Sequence, residues 1–173
     1  MKNLIAAAIS TVMTGSLIVG SFTLPVIASE IKKSYDHEQA MCLAKNIYFE
    51  SRSSNLADKA AVADVVLNRV NDTRYPNTIC EVVYQGKKHA DGRMKRNACH
   101  FSWYCDGKSD DPRNEDLWEE SKLIAYSILN HGSFRGITEG ATHYHAFYVD
   151  PRWSKDLQMV GRIGAHIFYR WKK

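Results

Sequence analysis

The 173-residue chain contains no run of like charge and no basic helical stretch, so it lacks the electrostatic footprint of a nucleic-acid groove. Its 23 Lys and Arg face 19 Asp and Glu, a mild excess that can assist attraction to an anionic polymer without naming one. A His-Glu-x-x-His helix is missing, as are cysteine pairs spaced by two to four residues, which removes the usual ligand patterns of zinc sites. Ser102 has no Gly-x-Ser-x-Gly elbow around it and is a weak candidate nucleophile. No internal repeat or low-complexity segment interrupts the chain. What remains is one ordinary domain, for which 45% hydrophobic content supplies a substantial core.

One long uncharged stretch is present. Met1-Lys-Asn is followed by Leu4 to Ala28 without a charge, and Pro25-Val-Ile-Ala28 offers small residues to a signal peptidase. We read residues 1–28 as an export signal, whose uncleaved form would act as a membrane tether, 29–35 as a polar linker, and 36–173 as the folded domain. Export to a periplasmic or extracellular space suits the cysteines. Cys42, Cys80, Cys99 and Cys105 form an even set, which in an exported chain favours disulfides over free thiols. Three connectivities are open. Cys99 and Cys105 enclose only His-Phe-Ser-Trp-Tyr, a loop that a local bridge can close, which leaves Cys42 for Cys80.

The spacing of apolar residues predicts an α+β domain that is mostly helical. Asp36 and Gln39 are placed for a capping box at the start of a first helix. Asn55 can cap a second, Leu56 to about Val70, with Val62, Val66 and Val70 on one stripe. Pro76 suits the first turn of a short helix reaching Tyr84, and Gly86 to Arg113 reads as a long functional loop around Phe101-Ser-Trp-Tyr104. Asn114 caps a further helix ended by His131-Gly132. Residues 141–149 and 163–171 alternate and favour strands, predicting an antiparallel pair near the C-terminus.

The residue that concentrates chemical interest is Glu50. At about 100° per residue, Leu43, Ile47 and Glu50 fall on one side of a helix, so burying the first two brings the carboxyl to the edge of the interior. Desolvation raises the pKa of such a group and lets it carry a proton near neutrality. The alternative is a solvated Glu50 paired with Arg52. The same segment, Asn46-Ile-Tyr-Phe-Glu50-Ser-Arg52, is followed by Ala61-Val-Ala63, Val66-Leu-Asn-Arg-Val70, Tyr75-Pro76, Phe101-Ser-Trp, Cys105-Asp-Gly107, Gly140-Ala-Thr-His-Tyr-His145, and Ile163-Gly with His166-Ile-Phe-Tyr169. In that order these motifs resemble the SleB-type cell-wall hydrolases, which include spore cortex-lytic enzymes and have a lysozyme-like fold. The resemblance runs from about Cys42 to Arg170 and implies that Glu50 is the catalytic acid. It departs from the family pattern at Ser51-Arg-Ser-Ser54, where Ala-Arg-Gly-Glu is common, and at Asp58-Lys59, where Gly-Gln is usual.

Peptidoglycan would then be the partner, bound by a monomer that needs no cofactor and no metal. Cleaving its glycan requires a proton on the leaving oxygen as positive charge develops at the sugar carbon. No second acid shares Glu50's placement on an apolar face, since Asp64, Asp72 and Asp106 read as helix-surface or turn positions. A single acid suits a lytic transglycosylase, an outcome that rests on the resemblance. Phe101, Trp103, Tyr104, Tyr144 and Trp153 are candidates to stack on sugars or line the groove, with Ser102 and His145 beside them; core packing is the competing role for each aromatic. Two rival readings stand. His143 and His145, with His100 or His166, would hold zinc in an amidase or peptidase, and a non-catalytic wall-binding module would use the aromatics alone.

Overall fold

A computed structural model describes residues 36–172; the expected leader and linker over 1–35 lie outside the described residues. Helix α1 spans His37–Ser51, α2 Leu56–Val70, α3 Ile79–Val83 and α4 Glu115–His131. Strands β1 Gly86–Lys88 and β2 Met94–Cys99 form an antiparallel pair, and β3 His143–Ala146, β4 Gln158–Ile163 and β5 His166–Arg170 form a sheet of order β3-β5-β4. The class is α+β and mostly helical, as the periodicity predicts.

The helices begin and end where local chemistry dictates. Asn55 caps α2 through the Asp58 amide, and Asn114 caps α4 through the Leu117 amide. Gly132 closes α4 in the left-handed region at φ 69°, a conformation that glycine adopts without a side-chain clash. The capping box expected at α1 does not form. Asp36 accepts from the Glu38 amide, while the Gln39 side chain turns away to accept from the backbone N–H of Cys80. Pro76 also lies outside α3, whose cap is Thr78.

Helix α1 lies in the middle of the helical layer, with Leu43 and Ile47 fully buried among Val66 and Ala63 of α2, Ile79 and Val82 of α3, and Ile124 and Ile128 of α4. Each such side chain contributes roughly 1.5–3 kcal/mol by leaving water. The disulfides pair as expected. Cys42–Cys80 fastens α1 to α3, and Cys99–Cys105 closes the end of β2 onto a 3-10 turn over Ser102–Cys105.

Two expectations need correction. The segment 86–113 is not one long loop, because its first part forms the β1–β2 hairpin; the chain gains ladder bonds there that a polar, glycine-bearing sequence does not advertise. The C-terminal sheet has a third strand, β4, whose alternation is broken by an irregularity between Met159 and Gly161.

Asp64 is the clearest correction in the helices, for it is buried rather than on the α2 surface. Its carboxylate pairs with Arg135 and accepts from the Gly136 and Thr138 amides and the Thr138 hydroxyl, holding the 132–140 turn against α2. Asp64→Ala strands all of these donors and is expected to cost about 3 kcal/mol in chemical denaturation. Removing Asp91, which forms an exposed pair with Arg93, should leave the midpoint unchanged.

Candidate active site

Glu50 stands at the penultimate position of α1, half-buried, on the wall of a cleft of about 660 Å³. The opposite wall comes from the segment following β2, including Ser102, Trp103, Asp106, Lys108 and Asp111. That segment is held close by the Cys99–Cys105 bridge and by Tyr48 of α1, whose hydroxyl accepts from the Arg113 and Asn114 amides at 3.2 and 3.1 Å. Trp103 is fixed by Asn46, one turn before Glu50: its ring N–H donates to Asn46 Oδ1 at 3.1 Å, and its face stacks on Phe49 at 4.7 Å.

The partner of the Glu50 carboxyl is Tyr144 on β3, whose hydroxyl donates to Oε2 at 3.0 Å. Arg52 does not take that role; its guanidinium lies over the Tyr48 ring at 5.3 Å. Burial raises the Glu50 pKa above the ordinary carboxyl range, and the Tyr144 hydrogen bond and the fields of His166 and Arg69 pull it back without reversing the sign. The site can therefore hold a proton on Glu50 at pH values where an exposed glutamate is ionised.

Tyr144 is positioned from behind. Pairing of β3 with β5 sets Tyr144 opposite Phe168, and its ring meets the His166 ring edge-on at 5.0 Å. His166 Nδ1 lies 2.8 Å from Asp58 Oδ1, and Asp58 Oδ2 accepts from the Ala165 amide at 3.2 Å. These polar supports were not anticipated. Asp58 and His166 are far apart in sequence, and neither carries a local signal that links them.

The sequence candidates are divided by the fold. Glu50 and Ser102 meet in the cleft, and Trp103 reaches its lining with only 7% of its surface exposed, the rest packed in the core. Tyr144 and Trp153 line a second, smaller cleft together with Arg69, Tyr75, His100 and His143. Tyr104 packs on Tyr84 and faces a different hollow near α3. Phe101 is corrected: it is 2% exposed, with Arg69 over its ring at 4.9 Å, and has no face free for a sugar. His145 is engaged by the protein, its Nδ1 at 2.9 Å from the Ala146 carbonyl and its Nε2 at 3.0 Å from the Tyr169 hydroxyl. The first contact requires Nδ1–H, so Nε2 accepts from Tyr169 and has no lone pair left for a metal. Among the described residues no three His, Cys, Asp or Glu side chains converge as a metal cluster. Asp106, expected at a turn, reaches the Glu50 cleft, as does Asp111.

The domain is mostly helical, presents one shielded glutamate to a polar cleft and is backed by a small antiparallel sheet. The family model described as Cell Wall Hydrolase matches residues 53–169, more than half of the chain, and the chain belongs to that family. It is similar to the crystal structure of the catalytic domain of the Bacillus cereus SleB protein, at 26% identity and a TM-score of 0.55, covering 77% of this chain and 91% of that one. It is also similar to the catalytic domain of the germination-specific lytic transglycosylase SleB from Bacillus anthracis, at 25% identity and a TM-score of 0.59, covering 79% and 98%. A spore cortex-lytic enzyme of Bacillus cereus is 30% identical over 69 residues, 38% of this chain and 27% of that protein. The chain thus spans about a quarter of the length of the curated relatives it matches. The family match begins just after Glu50, so the case for that residue stands on the geometry of the cleft.

A carboxyl whose pKa is higher in the folded than in the unfolded state costs stability when ionised, and the cost grows as pH rises past about 4.3 until the folded value is reached. Glu50→Gln is therefore expected to melt at the same or a higher temperature at pH 7, with any gain vanishing at pH below 4. A lower melting temperature at pH 7 would show the ionised carboxylate to be a structural partner. Tyr144→Phe removes a bond that favours the carboxylate, and carboxyl-carbon NMR should then show Glu50 titrating at higher pH than in the parent protein.

Proposed function

We propose that the protein cleaves peptidoglycan glycan strands between muramic acid and glucosamine, as a lytic transglycosylase that uses Glu50 as acid and then as base. The observation that carries this reading is the shielded Glu50 carboxyl, raised in pKa and hydrogen-bonded by Tyr144, at the wall of a cleft large enough for a strand. Glu50 gives its proton to the glycosidic oxygen as the bond from the muramic acid C1 breaks. The carboxylate so formed takes the proton of the same sugar's 6-hydroxyl, whose oxygen closes on C1 to leave a 1,6-anhydro end. No water is consumed and Glu50 ends protonated. Likeness to the Bacillus anthracis lytic transglycosylase supports this outcome. The cleft-lining Trp103 and Ser102 are offered as sugar contacts, and the protein acts as an exported monomer without a cofactor.

A second reading is hydrolysis, favoured by the presence of Asp106 and Asp111 in the same cleft, where either carboxylate could activate a water. Mass spectrometry of digested wall separates the readings. Anhydro-muramyl ends are expected; reducing ends would favour hydrolysis, freed stem peptides an amidase, and an unchanged wall with tight binding a non-catalytic module.

The reaction begins from the protonated acid, so its rate should fall as pH rises through the raised Glu50 pKa. Glu50→Gln should lower turnover by at least 100-fold while leaving wall pull-down unchanged. A variant retaining parental turnover would remove Glu50 from the mechanism.

A further inference from the structure

The second cleft, about 270 Å³ in volume, is lined by Tyr144, the partner of Glu50, and by Arg69, a cation without an ion pair among the described residues. Arg69 is only 7% exposed. Its Nε donates to the Thr142 carbonyl at 2.7 Å, and its guanidinium lies 5.4 Å from the centre of the Tyr75 ring and 4.9 Å from that of Phe101. Among the described residues it forms no salt bridge, and Nη1 is buried without an acceptor. A buried cation in this condition is costly unless an anion completes it. The neighbouring carboxylates are not free to do so. Asp72 is occupied by Arg74 through bonds of 2.8 and 2.6 Å, and Glu50 acts on Arg69 through space alone.

The remaining walls suit a sugar substituent. Trp153 and Tyr75 offer aromatic surface, and His100 and His143 offer ring nitrogens. Burial and the field of Arg69 hold both histidines below their ordinary pKa, His143 at about 4, so Arg69 is the cleft's cation at neutral pH. We infer that this cleft is an anion subsite in which Arg69 takes a carboxylate carried by a muramic acid residue of the strand, either on its lactyl group or on the peptide attached there. The inference rests on the reading of Glu50 as the cleaving acid, because Tyr144, which donates to Glu50, also lines this cleft, so that a strand crossing Glu50 would pass Arg69 next. Arg69 would act as a specificity residue, and strands without the carboxylate would bind poorly.

The test uses uncleavable probes. N-acetylmuramic acid, its methyl ester, and an N-acetylmuramoyl dipeptide are titrated into the wild-type protein, with affinity taken from calorimetry and location from the His100 and His143 ring signals in NMR. The acid is expected to bind at least tenfold more tightly than the ester and to move both ring signals, and Arg69→Gln should abolish the difference. Tighter binding of the dipeptide than of the free acid would assign the peptide carboxylate; the reverse would assign the lactyl group. Equal affinity for acid and ester, an acid preference that survives Arg69→Gln, or no binding by either carboxylate probe would overturn the inference. If Arg69→Gln does not fold, the acid and ester comparison on wild type decides alone. None of these readings involves turnover, so a failure of glycan cleavage by Glu50 would be seen separately from a failure of the subsite.

Discussion

The bond network of Asp58 is the constraint on which the rest of the site depends. This carboxylate is fully buried at the start of α2, and it holds both the His166 ring and the Ala165 amide. The turn it grips is so close that a Cβ on Gly164 would stand 2.6 Å from the Asp58 Cβ, at a φ of +56° that also favours glycine. Hydrogen bonding outweighs the cost of burial, and the Asp58 carboxyl is pulled below its ordinary pKa. Anchoring this turn fixes where β5 begins, β5 fixes the register of β3, and β3 carries Tyr144 to Glu50. The departures from the family pattern at Asp58-Lys59 thus fall on working positions, since Lys59 is buried too and pairs with Glu120 of α4 at 2.6 Å.

Glu50 and Asp58 show how similar ingredients give opposite results. Both carboxyl groups are taken from water, which favours the protonated form. Asp58 recovers the loss through His166, Ser54 and a backbone amide, whereas Glu50 receives one hydroxyl and two more distant positive fields. Asp58 has the richer supply of donors, and its pKa falls below the ordinary value where that of Glu50 rises above it.

Much of this was legible from residue spacing because it is set within single helices. Leu43, Ile47 and Glu50 share a face by helical geometry, and Asn55, Asn114 and Gly132 announce helix ends by their own chemistry. The even cysteine count and the short 99–105 loop carried the disulfide pairing. What could not be read was set by contacts between distant segments. Gln39 chose the Cys80 amide over its own helix, Asp64 found donors in the 132–140 turn, and Arg69 was drawn beneath the β3 strand by the Thr142 carbonyl. An aromatic in a list of sugar-stacking candidates looks the same whether it ends in the core, as Phe101 and Trp103 do, or half-buried at a cleft, as Trp153 does. Only the partner elements distinguish them.

Tyr144 joins these features because one phenol lines the second cleft and donates to the carboxyl that lines the first. Burial and the nearby Glu50 charge raise its own pKa well above the ordinary tyrosine value, so its hydroxyl remains a proton donor wherever Glu50 titrates. A donor of this kind stabilises the carboxylate more than the acid. Desolvation and the hydrogen bond therefore act at different moments of the proposed reaction: the first keeps a proton on Glu50 before the strand is cut, and the second steadies the charge left once that proton has gone to the glycosidic oxygen. A better-hydrated glutamate would lose its proton too early, and one without Tyr144 would hold it too firmly. The strand pairing that sets Tyr144 opposite Phe168 is for this reason as much a part of the acid's chemistry as the helix that carries Glu50.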